Sequence, residues 1–503
     1  FRSTLERPGS LEITKVVELP DGYDADDFAN EQFEFTVSVP EAAGKDFTGT
    51  VTLGDEVQGD ENFSLTFDEK GTYKHTLKPG EKLTIKGLLD GWAYKVDEVA
   101  RDGWTAESVD DEGAISAGEA AEVEFDNTYA ATGVLEGKTS LAGEKALDGR
   151  AWRSEDRFAF VLTAKDNAPM PDGAQDGTAV MYVTAPEGTT DGTAIPFEFG
   201  DITYTRPGTY TYTIHEVGAD DGYDVSILGG VSVSKATYRV TVEVTDDDHD
   251  GELTVASTME KMVDDAGAEV GENEHGEAVD TASFRNVYEI ADAGYAGITV
   301  SKVLNGRAMA AGEFGFAITG VDDASKALLA ESDRSFTNGA AASGEKNVMT
   351  KLDDLTFTKD DAGKTYRFTV REIVPEDADK LPGVAYDEAE HEVEISVADA
   401  GNGTLTVMTK VDGQEGNEVA FVNDYAAAPL ETEVDFGITK RLEGRDWTDS
   451  DAFTFEIAAI DGAPLPISTT TSVTKRDLRE DGAAAVRFGK IRFTAAGTYE
   501  YEV

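Results

Sequence analysis

A chain of 503 residues is too long for one small β-sandwich and fits three to five domains. Its formal charge of −57 argues against nucleic acid as a partner, because phosphate binding needs clustered Lys and Arg, and disfavours docking on anionic lipid. Cysteine is absent, so no disulfide can stiffen the domains, and no run of about 18 apolar residues predicts a membrane span. Hydrophobic residues make up 40% of the chain, enough for a core in each domain. An acidic surface of this size keeps an elongated molecule soluble and self-repelling, and a halophilic origin would give the same charge. The chain begins at Phe1, shows no signal peptide and reads as an excerpt.

The first stretch, residues 1–130, carries LEITK ending at Lys15, YKVDEV around Glu98 and FDNTY around Asn127. Between them, GTYKHTLKPGEKLTIKGLLDGWAYKV alternates with the period of two that marks half-buried strands. FRSTL at 1–5 faintly echoes FDNTY, as the tail of a preceding module would.

From residue 131 a stricter pattern begins, and it repeats. Lys145 opens KALDGRAWRSEDRFAF, Lys302 opens KVLNGRAMAAGEFGF and Lys440 opens KRLEGRDWTDSDAFTF. The shared frame is Lys-x-Leu-x-Gly-Arg with turn glycines Gly149, Gly306 and Gly444, then a bulky residue (Trp152, Met309, Trp447), then an aromatic alternation that reads as strand. The two tryptophans are expected in the core. A second frame, Y-x-[FY]-x-[VI]-x-E, ends at Glu216 and at Glu372. A third, F-x-N-x-Y, surrounds Asn286 and Asn423. Between the second and third frames, VTVEVTDDDHDGELTV and VEISVADAGNGTLTV each predict a hairpin. Modules are therefore placed at 1–130, 131–292, 293–427 and 428–503. The last is incomplete, since its acid falls beyond Val503 and its asparagine frame is missing. Joints such as AATG at 130–133 and AAAPL at 426–430 are too brief for free tumbling and predict a semi-rigid rod.

A lysine in an opening strand, a glutamate in a middle strand and an asparagine in a closing strand thus recur in order three times. On these frames, modules two to four resemble the pilin isopeptide-containing repeats of Gram-positive surface proteins, and module one resembles collagen-adhesin B-type sandwiches. The resemblance implies an all-β fold of tandem immunoglobulin-like sandwiches, with the lysine amine and asparagine carboxamide condensing into an intramolecular isopeptide bond. Matched by position, the trios are Lys15, Glu98, Asn127; Lys145, Glu216, Asn286; and Lys302, Glu372, Asn423, with Lys440 the orphaned lysine of a fourth. Each glutamate would shuttle the proton.

That chemistry is intelligible from the side chains. An amide is a poor electrophile and an ammonium is no nucleophile. Burial lowers the lysine pKa and raises the glutamate's. A neutral acid can then hydrogen-bond the amide oxygen and pass a proton to departing ammonia, while fixed contact replaces a bimolecular encounter. Each module would react once on itself, without turnover, so the chain is not read as an enzyme.

Lys138 lies seven residues before Lys145, hence on the opposite face of an unbroken strand, and the frame match selects Lys145. The run DDDHDG at 246–251 imitates the start of a calcium loop, but Ser257 stands where the bidentate glutamate should be. Five scattered histidines give no metal site, and His215 beside Glu216 faces the other way. No catalytic triad, phosphate loop or paired-carboxylate cleft stands out, and no cofactor is expected. The expected function is a cell-surface stalk or pilus shaft, attached to the cell wall through a region outside this sequence. The alternatives are an adhesin whose variable loops (164–195 or 261–281) contact a host or matrix ligand, and spacer modules of a larger surface enzyme. No LPxTG-type sorting signal or pilin-linking lysine motif is found.

Overall fold

The computed structural model describes residues 7–272 and 275–503; the FRSTL echo lies outside the described residues. The chain forms two compact units, one running up to Glu289 and the other from Ile290. Both are built of strands, and the folding units are tandem all-β modules.

Alternation of apolar and polar residues decides how each module layers. The opening strand Pro8–Glu18 buries Gly9, Leu11, Ile13 and Lys15 on one face, while the residues alternating with them are only half-buried. It sits in a seven-stranded sheet, between Glu81–Leu89 on one side and the closing strand Ala120–Tyr129 on the other. A four-stranded sheet containing Phe33–Ser38 and Ala93–Glu98 completes the first module. Phe35, Val37, Leu83, Ile85 and Val96 are sealed in its core.

The second and third modules share one plan. In the second, a four-stranded sheet orders Ile195–Glu198, Ala142–Asp148, Ala282–Tyr288 and Val231–Ser232, opposite a six-stranded sheet that includes Phe158–Ala164 and Gly208–Val217. In the third, Lys346–Lys351, Ile298–Asn305, Glu418–Tyr425 and Val384–Ala385 take the same order, with Gly315–Gly320 and Thr365–Ile373 in the larger sheet. The expected hairpins are present as Thr237–Thr245 with Thr254–Val263 and Glu390–Asp399 with Leu405–Val411. The fourth stretch holds four two-stranded sheets around Trp447, Val473, Val486 and Phe488.

In every module with a closing strand, that strand runs parallel to the opening one. The register is the same three times: Lys15 opposite Phe125, Lys145 opposite Phe284 and Lys302 opposite Phe421. Parallel neighbours cannot be joined by a hairpin, so the whole body of the module serves as the crossover. Sequence order alone does not reveal this.

The joint at 130–133 is built into structure. Ala131 is buried and Gly133–Leu135 pairs with Ile202–Tyr204. The DDDHDG turn reaches back to the first module and completes this junction. Asp246 Oδ2 accepts from Tyr23 at 3.0 Å and from Tyr129 at 2.7 Å. His249 stacks on Phe28 with ring centroids 3.9 Å apart and bonds Glu31 through Nδ1. Gly251 and Gly103 meet backbone to backbone, where any Cβ would clash. Two of this run's acidic and imidazole side chains are thus already engaged by the neighbouring module.

Replacing Asp246 by Ala leaves the hydroxyl protons of Tyr23 and the buried Tyr129 without their acceptor, at about 1–3 kcal/mol. The expected result is faster proteolytic cleavage at residues 130–133 with the sheets of both modules unaltered in circular dichroism.

Candidate functional site

Strand pairing brings each trio together. In a parallel ladder, residues two apart share a face, so Asn127, Asn286 and Asn423 lie on the same face as Lys15, Lys145 and Lys302, one step further along. The glutamate arrives from the opposite sheet. Glu98, Glu216 and Glu372 stand across from Phe35, Phe160 and Phe316 on the strand that follows each lysine. All three lysines are fully buried.

The second and third sites have nearly one geometry. Lys145 Nζ donates to Glu216 Oε2 at 2.8 Å, and Asn286 Nδ2 donates to Glu216 Oε1 at 2.8 Å. Lys302 Nζ donates to Glu372 Oε2 at 2.7 Å, and Asn423 Nδ2 donates to Glu372 Oε1 at 2.7 Å. Each carboxylate therefore bridges amine and carboxamide. The first site is looser. Asn127 Nδ2 reaches Glu98 Oε1 at 2.5 Å, but Lys15 Nζ is 3.5 Å from Glu98 Oε2 and donates to the Phe125 carbonyl at 3.1 Å.

One expectation needs correcting. The acid does not meet the carboxamide oxygen; it meets the nitrogen. The oxygen is held by a backbone N–H instead, Ser234 to Asn286 Oδ1 at 2.6 Å and Asp387 to Asn423 Oδ1 at 2.7 Å. Among the described residues Asn127 Oδ1 has no hydrogen-bond partner.

Burial sets the protonation. Desolvation pulls the Lys15 and Lys145 ammonium groups down to about 8 and lowers Lys302, against the pull of each glutamate towards the charged form. The same desolvation raises Glu98, Glu216 and Glu372, opposed by the neighbouring lysine and asparagine. Both directions favour a neutral pair.

An aromatic box surrounds each trio, and the sequence pattern does not resolve it. Each lysine amine lies over a phenylalanine at or just before the start of the following strand: Lys15 over Phe33, Lys145 over Phe158, Lys302 over Phe314, at 4.7–4.8 Å from the ring centre. Two residues further, Phe35, Phe160 and Phe316 pack on Phe125, Phe284 and Phe421, the aromatics that lead the asparagine frames. Lys440 lies half-buried over Phe453 at 4.4 Å, so the fourth stretch carries the same lysine seat. Lys138 is exposed on a short helical turn, away from the trio. Trp152 and Trp447 are buried, edge-on to Phe158 and Phe453.

The Gly-Arg pair of the opening frame also finds its reason. Gly149 and Gly306 adopt φ of +93° and +89°, with the carbonyls of Tyr288 and Tyr425 where a Cβ would stand. The arginine after each pairs with an acid six residues on, Arg150 with Asp156 and Arg307 with Glu313, and covers the same tyrosine ring. Arg445 and Asp451 repeat the pair. Opening and closing frames recur together because they pack on each other.

Residues 141–289, 298–426 and 436–503 match the model of the Spy0128-like isopeptide containing domain. The chain belongs to this family. Membership of this family supports a non-enzymatic reading of the matched residues. Residues 9–129 match a domain of unknown function, DUF7601. No curated protein matches the chain. Among solved structures it is similar to the major pilin from Streptococcus pyogenes, at 17% identity over 56% of this chain and 97% of that one, TM-score 0.22. The T-13 major pilin of Streptococcus pyogenes gives 14% identity over 58% and 98%, TM-score 0.21. The pilus-presented adhesin Spy0125 (Cpa) gives 20% identity over 24% of this chain, TM-score 0.18. The chain spans about a quarter (26%) of that adhesin's length.

Proposed function

We propose that this chain is a load-bearing stalk or shaft segment of a bacterial cell-surface protein or pilus, in which three modules weld their first strand to their last. The supporting observation is the buried Lys–Glu–Asn bridge between parallel strands in the second and third modules. In the reactive form lysine is a neutral amine and glutamate a neutral acid. As the amine nitrogen attacks the asparagine Cγ, the acid gives its proton to the carboxamide nitrogen, and the carboxylate so formed takes the proton that the amine sheds. The C–N bond of the carboxamide breaks, and ammonia leaves. Lysine and asparagine end joined by one amide, and glutamate returns to its starting state.

Such a bond stiffens in two ways. It closes loops of roughly 110–140 residues, restricting the unfolded chain by about 5 kcal/mol each in the chain-entropy model. It also carries tension from the opening strand directly into the closing one, so the sheets between are spared.

Intact mass provides the first test: the purified chain should fall short of its sequence mass by three ammonias, and Glu216→Ala should restore one of them. A mass equal to the plain sequence would remove the cross-link. The second test is pH. With the lysine lowered and the glutamate raised, the competent state holds one proton between them. Acid leaves an unreactive ammonium and base removes the acid, so the bond-forming rate should be bell-shaped, with a maximum between the ordinary values of 4.5 and 10.5. Urea-extracted, never-folded chain diluted into buffers of graded pH and quenched for mass analysis gives the profile; a flat one contradicts the proton shuttle. Load-bearing is tested by single-molecule pulling. Modules one to three should give no unfolding steps, and Glu372→Ala should release one step of about 400 Å, from about 120 residues at 3.3–3.6 Å each.

A further inference from the structure

The carboxamide oxygen gains charge when the amine adds to Cγ, so whatever faces that oxygen bears on the rate. In the second and third modules it faces a backbone N–H, and in the first it faces none. The cause lies in the strand that flanks the closing strand. Val231–Ser232 pairs with Tyr288 and Val287, and Val384–Ala385 with Tyr425 and Asp424; each then stops. The chain leaves for the opposite sheet, and the second residue after the break, Ser234 or Asp387, has its N–H free of the ladder and turned onto the asparagine. In the first module the flanking strand Trp104–Val109 stays paired past Asn127, with Ala106 opposite Asn127 and Glu107 opposite Asp126. No N–H is released there.

A carboxylate pins each released segment, by different means. Asp387 uses its own side chain: Oδ2 accepts from the N–H of Val422, which precedes the reacting asparagine, and Oδ1 accepts from Ala389 N. In the second module Asp265 Oδ1 accepts both from Arg285 N, again the residue before the asparagine, and from the Ser234 hydroxyl. Two unrelated loop positions thus hold one backbone donor in one place.

Resting on the cross-linking reading above, we propose that the backbone N–H groups of Ser234 and Asp387 act as single-donor oxyanion holes for the condensation. Asp265 and the Asp387 carboxylate are their positioning groups. The first module lacks this device and closes its bond last.

Never-folded chain is diluted into refolding buffer, and each cross-link is followed by peptide mapping over time. The second and third bonds should form before the first; a first bond as fast as the others overturns the proposal. Asp387→Ala should slow the third bond about tenfold or more while the second, an internal control, keeps its rate. Asp387→Asn, whose carboxamide oxygen still accepts from Val422, should recover most of it. An unaltered third-bond rate in Asp387→Ala overturns the proposal, as does failure of Asp387→Asn to recover, which marks a role through charge or folding. If no module of the native chain loses ammonia, the underlying reading has failed; if all three do so at one rate, only the oxyanion assignment has.

Discussion

The parallel pairing of first and last strands, in one fixed register, is the constraint on which the rest of each module depends. It sets lysine and asparagine on a common face one step apart. It makes the intervening body a crossover between two sheets, and so obliges the acid-bearing strand to lie in the facing layer with its glutamate directed at both. Sandwich thickness and side-chain reach then leave one place where the three groups can meet, and that place is dry. Three ionisable or polar groups without water would be a liability in an ordinary core, because unpaired charges there are expensive. In the second and third modules the glutamate satisfies amine and carboxamide N–H while a backbone N–H takes the carboxamide oxygen; in the first, Glu98 Oε2 and Asn127 Oδ1 keep no hydrogen-bond partner among the described residues.

The electrostatics follow from that dryness rather than from any special residue. Desolvation is the largest influence on all six ionisable groups of the trios, and it acts towards neutrality on both partners. The phenylalanines beneath the lysines sustain it, and the arginine and glycine of the opening frame lock the closing tyrosine over one end. Differences between sites are differences in this packing. Lys15 divides its contacts between Glu98 and the Phe125 carbonyl, whereas Lys145 and Lys302 are committed to the acid.

Much of this was legible in the sequence because the chain repeats its own experiment. Lysine, glutamate and asparagine frames recurring in order gave the trios, and Lys145 over Lys138, without any view of the fold. What stayed hidden has physical reasons. Phe33, Phe158 and Phe314 look like any core residue in an alternating strand, so their place under an amine carries no signal. The parallel pairing is a property of spatial order, which strands of similar pattern do not disclose. The backbone donors have no residue type at all, and their anchors, Asp265 and Asp387, occupy unrelated positions among a hundred acidic residues. The DDDHDG run reads as a hairpin turn whose likeness to a calcium loop fails at Ser257, and no pattern in it discloses that Asp246 and His249 face a tyrosine pair and a phenylalanine of the module before.

Because Asn127, Asn286 and Asn423 lie on the last strands of their modules, the trio does not exist until the final few residues of that module have docked. A growing or threading polypeptide holds its lysine and glutamate in water, ionised and inert, however long it waits. Under the proposed cross-linking, closure of each loop would therefore be timed by completion of the fold rather than by encounter of the two side chains in the unfolded chain.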